Sequence, residues 1–131
     1  MPIDAKLPIL VVDDNKTMVR ITVTLLRQIG FVDIDGASDG SEAFAMSQEK
    51  KYALVISDWN MADVSGLDLL LGLKRRGGAD APRFIMATAE SKTDRIVEAR
   101  SSGADAYIVK PYTAQTLRTK IEGLFPQKEE V

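Results

Sequence analysis

Four places in the chain carry residues able to do chemistry, and each follows a short apolar run. Asp13 and Asp14 follow residues 9–12. Asp58 follows residues 53–56 and Ser57. Thr88 follows residues 84–87, and Lys110 follows residues 106–109. Three carboxylates drawn together repel one another, and a hard divalent cation with oxygen ligands relieves them. Mg2+ suits such a set, since it takes one or two carboxylates and keeps several waters. Lys110 adds a fixed positive charge and Thr88 a hydroxyl. That combination is suited to hold a transferring phosphoryl group. A carboxylate can itself accept the group and form an aspartyl phosphate. Asp58 stands alone and is the candidate acceptor, while the adjacent Asp13 and Asp14 read as metal holders. Taken singly, each of these residues is an ordinary turn, cap or surface group. Their joint placement at strand ends is what calls for chemistry.

The rest of the composition narrows the choice. The chain has 131 residues, 45% of them hydrophobic and 27% charged, with a formal net charge of -2. One compact domain, 1–131, is expected at that size. There is no cysteine and no histidine. Disulfides, thiolate sites, imidazole bases and His-liganded zinc are therefore excluded. No basic block favours nucleic acid. No segment reads as a signal peptide, and the run at 7–12 is too short to span a bilayer, so no membrane insertion and a cytoplasmic location are expected.

Elements that could position these residues are visible in the hydropathy pattern. The runs at 9–12, 53–56, 84–87 and 106–109 are continuously apolar, as strands buried on both faces are. Residues 31–35 alternate apolar and acidic, which suggests an edge strand with one wet face. Helical spacing lies between the strands. Met18, Ile21, Leu25 and Ile29 form one stripe, stopped by Gly30. Ala43, Phe44 and Met46 lie in 41–50 after an Asp39-Gly40 turn. Leu67, Leu70, Leu71 and Leu73 lie in 65–76 before Gly77-Gly78. Ile96, Val97 and Ala99 lie in 91–102, and Leu117, Ile121 and Leu124 in 113–125. Ser91 with Asp94, and Thr113 with Thr116, have cap spacing. Five strand–helix units predict an α/β fold, a single five-stranded parallel sheet with helices on both faces. Ligands of such sheets bind at the carboxyl ends of the strands, where the candidate residues fall.

These residues resemble the receiver domain of two-component response regulators, in particular the stand-alone chemotaxis type. The likeness runs from about Ile9 to Phe125. It rests on Val11-Val12-Asp13-Asp14-Asn15, Ser57-Asp58-Trp59-Asn60-Met61, Gly66-Leu67, Ala87-Thr88-Ala89-Glu90, Gly103-Ala104-Asp105-Ala106-Tyr107 and Val109-Lys110-Pro111. It implies a flavodoxin-like (βα)5 fold with Asp58 as phosphoacceptor. It implies Mg2+ held by Asp13, Asp14, Asp58 and the carbonyl of Asn60, with Lys110 on the phosphoryl oxygens and a cis Lys110-Pro111 bond. Thr88 and Tyr107 would be the switch residues, coupling the site to the face of the fourth helix, fifth strand and fifth helix. Asn60 and Glu90 would flank the attacking water and set the lifetime of the phosphoryl group. Trp59 would report on the metal site by its fluorescence. Ala62 stands where the family usually has proline, which frees a φ angle in that loop.

The implied function is a phosphorylation-activated regulator that catalyses only its own phosphorylation and dephosphorylation. A chemotaxis-type histidine kinase would donate the group, and the active form would bind an output partner, most naturally the flagellar motor switch. A relay intermediate, a phosphate sink, or an adaptor regulating a kinase or stress pathway would use the same site. Residues 127–131 read as a frayed tail, so stand-alone action as a monomer is expected. Without histidine, the chain cannot be the phosphohistidine donor of its own pathway.

Overall fold

The apolar runs do form parallel strands. The computed structural model describes residues 4–61, 64–89 and 93–125. In chain order the elements are β1 (Ile9–Val12), α1 (Lys16–Ile29), β2 (Ile34–Ala37), α2 (Gly40–Glu49), β3 (Leu54–Asp58), α3 (Gly66–Gly77), β4 (Arg83–Thr88), α4 (Thr93–Ser101), β5 (Ala106–Val109) and α5 (Ala114–Leu124), with one 3-10 turn at Gly78–Asp80. The strands make one parallel sheet in the order β2-β1-β3-β4-β5. This is the flavodoxin-like order, and it reverses direction between β1 and β3. Among the described residues no helix is long and apolar enough to cross a membrane.

Alternate residues of the central strands feed two separate cores. Leu10, Val12, Val55, Phe84 and Met86 pack on one side with Ala43 of α2, Leu69, Leu70 and Leu73 of α3, and Ala99 of α4. Ile9, Val11, Leu54, Ile56, Ile85 and Ile108 pack on the other with Leu26 of α1 and Leu117 and Ile121 of α5. Each fully buried side chain of this kind contributes about 1.5–3 kcal/mol. That two-sided burial is why the runs show no polar alternation.

Helix starts follow local chemistry. Asn15, Asp39, Ser65 and Thr113 cap α1, α2, α3 and α5 by accepting backbone N–H groups with their side chains. The Thr113–Thr116 cap is present at 3.1 Å. The cap expected at Ser91, the Ala62 position, Glu90 and the tail 127–131 lie outside the described residues.

Several expectations are corrected. The edge strand was expected at 31–35 and forms at Ile34–Ala37. Phe31 donates its N–H to Leu26 O at 3.1 Å while Gly30, at φ 125°, donates to Arg27 O. This Schellman closure uses the Phe31 donor for the end of α1, so the strand starts later. The buried face of α1 centres on Thr22 and Leu26, and Ile21 is 44% exposed. A polar residue thus occupies a seam that hydropathy assigns to apolar ones. In α3 Leu69 is buried and Leu71 exposed, and in α4 Val97 points outward.

The edge strand is tied down at the amino ends of the strands. Lys50, after α2, reaches Asp33 at 2.6 Å and Asp35 at 3.0 Å. Tyr52 donates its hydroxyl to Asp35 at 2.7 Å. Burial, and then the carboxylate it bonds, push the Tyr52 phenol up to about 12.

Candidate functional site

Strand register assembles the site. Val12 pairs with Ser57, Asp58 with Ala87, and Thr88 with Val109. Asp13, Asp58, Thr88 and Lys110 therefore stand side by side at one rim of the sheet, and Asp13 and Asp58 flank the reversal point. One carboxylate oxygen from each of Asp13, Asp14 and Asp58 lies within 4.8 Å of the others. Lys110 Nζ donates to Asp13 Oδ2 at 2.7 Å and lies 3.1 Å from Asp58 Oδ1. The other oxygen of Asp13 accepts the Asn15 N–H at 2.9 Å. Thr88 is buried, and its carbonyl accepts the Lys110 N–H at 2.8 Å. The Lys110-Pro111 bond is cis.

Burial sets the electrostatics. The side chains of Asp13, Asp58 and Lys110 are only 7%, 12% and 16% exposed. Desolvation pushes Asp58 above the usual carboxylate range; Lys110 opposes this, and Asp13 and Asp14 add to it. Burial pulls Lys110 down, but its hydrogen bond to Asp13 and the charge of Asp58 outweigh that and raise it. Among the described residues, three carboxylates of this cluster face one ammonium. A hard divalent cation fits both that charge and the all-oxygen donor set.

Of the remaining expected residues, Asn60 lies two positions beyond Asp58 with an exposed side chain. Glu90 lies outside the described residues. Trp59 follows Asp58 directly but is 4% exposed and belongs to the buried core on the α2–α4 side of the sheet. Tyr107 is not in the carboxylate cluster. It pairs with Met86 and is partly buried against the α2–α4 core. Its other side borders a groove lined by Ile96 and Arg100 of α4, Val109 of β5 and Lys120 and Leu124 of α5. The expected α4–β5–α5 face therefore exists as a concave surface.

Gly66 carries a role its sequence position does not reveal. A Cβ on Gly66 would lie 2.2 Å from the Asp58 carbonyl oxygen. Gly66 N–H donates to Trp59 O at 2.8 Å, so α3 starts directly against the candidate acceptor. Ser57, fully buried, donates its hydroxyl to the same Asp58 carbonyl at 2.9 Å. The Gly66-Leu67 pair was visible in the sequence, but the close approach was not.

Comparison with known proteins agrees with this geometry. A family model described as response regulator receiver domain matches residues 9–122. The chain belongs to the response regulator receiver domain family. The receiver is 42% identical to the chemotaxis protein CheY of Pseudomonas aeruginosa, over 89% of this chain and 94% of that protein. It is 39% identical to CheY-3 of Vibrio cholerae, over 94% and 95%. Among solved structures it resembles Vibrio cholerae CheY4, with a TM-score of 0.83 at 25% identity, covering 90% of this chain and 98% of that one. It also resembles a Borrelia burgdorferi CheX–CheY complex with BeF3 and Mg2+, with a TM-score of 0.83 at 26% identity, covering 90% and 88%. The receiver is thus of the chemotaxis CheY type.

Proposed function

We propose that this receiver is a phosphorylation-activated chemotaxis regulator with Asp58 as its phosphoacceptor. The observation that carries the reading is the Lys110 ammonium seated on both Asp13 and Asp58 inside a three-carboxylate cluster. Asp13, Asp14 and Asp58, with the Asn60 carbonyl, would hold Mg2+, which when bound neutralises the oxygens of the incoming phosphoryl group. An Asp58 oxygen attacks phosphorus. The P–N bond of a phosphohistidine donor breaks, and the imidazole leaves with the bonding pair. Lys110 and the Thr88 hydroxyl take up the charge on the phosphoryl oxygens. Water later attacks phosphorus, returning the Asp58 carboxylate and inorganic phosphate, and Asn60 and Glu90 would set the rate of that step. The chain is no enzyme beyond these two steps.

The donor would be a chemotaxis-type histidine kinase. The output surface is the groove beside Tyr107, where Arg100 and Lys120 frame apolar residues. That chemistry suits an acidic, apolar segment of a flagellar motor switch protein. Thr88 and Tyr107 would shift together when the phosphoryl group arrives, biasing one of two packings. The test uses acetyl phosphate with Mg2+ and intact-mass measurement. One phosphoryl group should appear on the wild type and none on Asp58→Asn or in EDTA. Uptake by Asp58→Asn would refute the assignment.

A further inference from the structure

One hydrogen bond ties the segment after Lys110 to the opposite side of the site. Tyr112 Oη and Thr22 Oγ1 are 2.7 Å apart, from residues 90 positions apart in the chain. Thr22 is 1% exposed in the middle of α1, and Tyr112 is packed into the α1–α5 core. Other helical threonines behave differently. Thr24 and Thr119 donate to the carbonyls of Arg20 and Gln115, four residues back in their own helices. The Thr22 hydroxyl is paired across the core instead.

The bond closes a ring around the site. Asp13 accepts from Asn15, which caps α1; α1 carries Thr22; Thr22 holds Tyr112; and Lys110, two residues before Tyr112, donates back to Asp13. Lys110 is thereby bracketed. Its N–H is fixed on Thr88 O, and the chain just beyond it is fixed on α1. A lysine side chain carries about 2 kcal/mol of rotamer entropy, so its ammonium stays on two carboxylates only if its backbone is held. We propose that Tyr112 is a positioning residue whose hydroxyl, bonded to Thr22, keeps the Lys110 ammonium on Asp13 and Asp58.

The inference deepens the reading of Asp58 as phosphoacceptor, and its kinetic arm rests on that reading. The test compares full-length wild type, Tyr112→Phe, Thr22→Val and Thr22→Ser. Limited acylation with an amine-reactive ester is read by peptide mass, with exposed Lys51 as internal reference. Labelling of Lys110 relative to Lys51 should rise about threefold or more in Tyr112→Phe and Thr22→Val, and stay near wild type in Thr22→Ser. With saturating acetyl phosphate, the phosphorylation rate constant should fall roughly three- to tenfold in the first two variants, with half-saturation unchanged. The double variant should lose no more than either single one. Unchanged Lys110 labelling overturns the proposal, as does raised labelling with an unchanged rate. A wild type that takes up no phosphoryl group refutes the Asp58 reading instead, and the labelling ratio alone then decides the role of Tyr112.

Discussion

At the scale of residues, the decisive quantity is a buried charge that Lys110 offsets only in part. Asp58 is held above the usual carboxylate range, chiefly by desolvation. A raised folded pKa means that the folded chain binds this proton more tightly than the unfolded chain does. Its charged form therefore lowers stability above the folded pKa, and the penalty fades as pH falls through it. Asp58→Asn should raise Tm in EDTA near neutral pH, with the gain shrinking on acidification. A melting series over pH checks this, and an unchanged Tm at every pH would contradict it. Asp13, Asp14, Asp58, Thr88 and Lys110 were legible in the sequence because each closes an apolar run, and parallel register brings such ends to one rim. The Thr22–Tyr112 bond was not, because neither residue is unusual locally and their meeting depends on how α1 lies against α5.

At the scale of elements, close approach matters more than propensity. Gly66 lets α3 begin against the Asp58 carbonyl, and a methyl there would meet backbone that cannot rotate away. Gly66→Ala should cost about 2 kcal/mol in urea unfolding and slow phosphorylation, because the strain falls on the peptide of the proposed acceptor, Asp58. The β2 edge offers a second check. Between the ordinary phenol value of 10.0 and about 12, the folded chain keeps the Tyr52 proton that the unfolded chain loses. Stability should therefore decline as pH rises across that window, and Tyr52→Phe should flatten the decline in alkaline melts. Strand existence and the Thr113 cap were readable because they depend on near neighbours, whereas the caps at Asn15, Asp39 and Ser65 were not singled out. The start of β2 was not readable, because the donor of Phe31 was already committed to the end of α1. The inner faces of α1 and α3 were misread at Ile21 and Leu71 for a related reason. Packing partners choose the face, and a bonded Thr22 can sit where a hydrophobic residue was expected.

At the scale of the whole molecule, the site and the groove are two ends of one body. Thr88 sits at the site, and Tyr107 lies on the neighbouring strand with the groove at its side. If they are coupled, the coupling is reciprocal. Suppose beryllofluoride with Mg2+ tightens an acidic, apolar peptide in the groove about tenfold. The same peptide must then tighten beryllofluoride by the same factor. Titrations in both orders measure this, and Lys120→Glu should weaken the peptide while leaving Mg2+ affinity unchanged. An unchanged peptide affinity in the presence of beryllofluoride and Mg2+ would refute coupling between the site and the groove.

The Lys110–Asp13 bond joins residues 97 positions apart. On a ribosome the three aspartates leave the exit tunnel long before their lysine does. Until then β1 and β3 can pair, but their rim holds Asp13, Asp14 and Asp58 without the ammonium that bonds them. Contacts of such separation form late in folding. If Lys110 serves the phosphoryl group as proposed, a receiver truncated before β5 should take up none from acetyl phosphate, and competence to signal certifies that the last strand has been delivered.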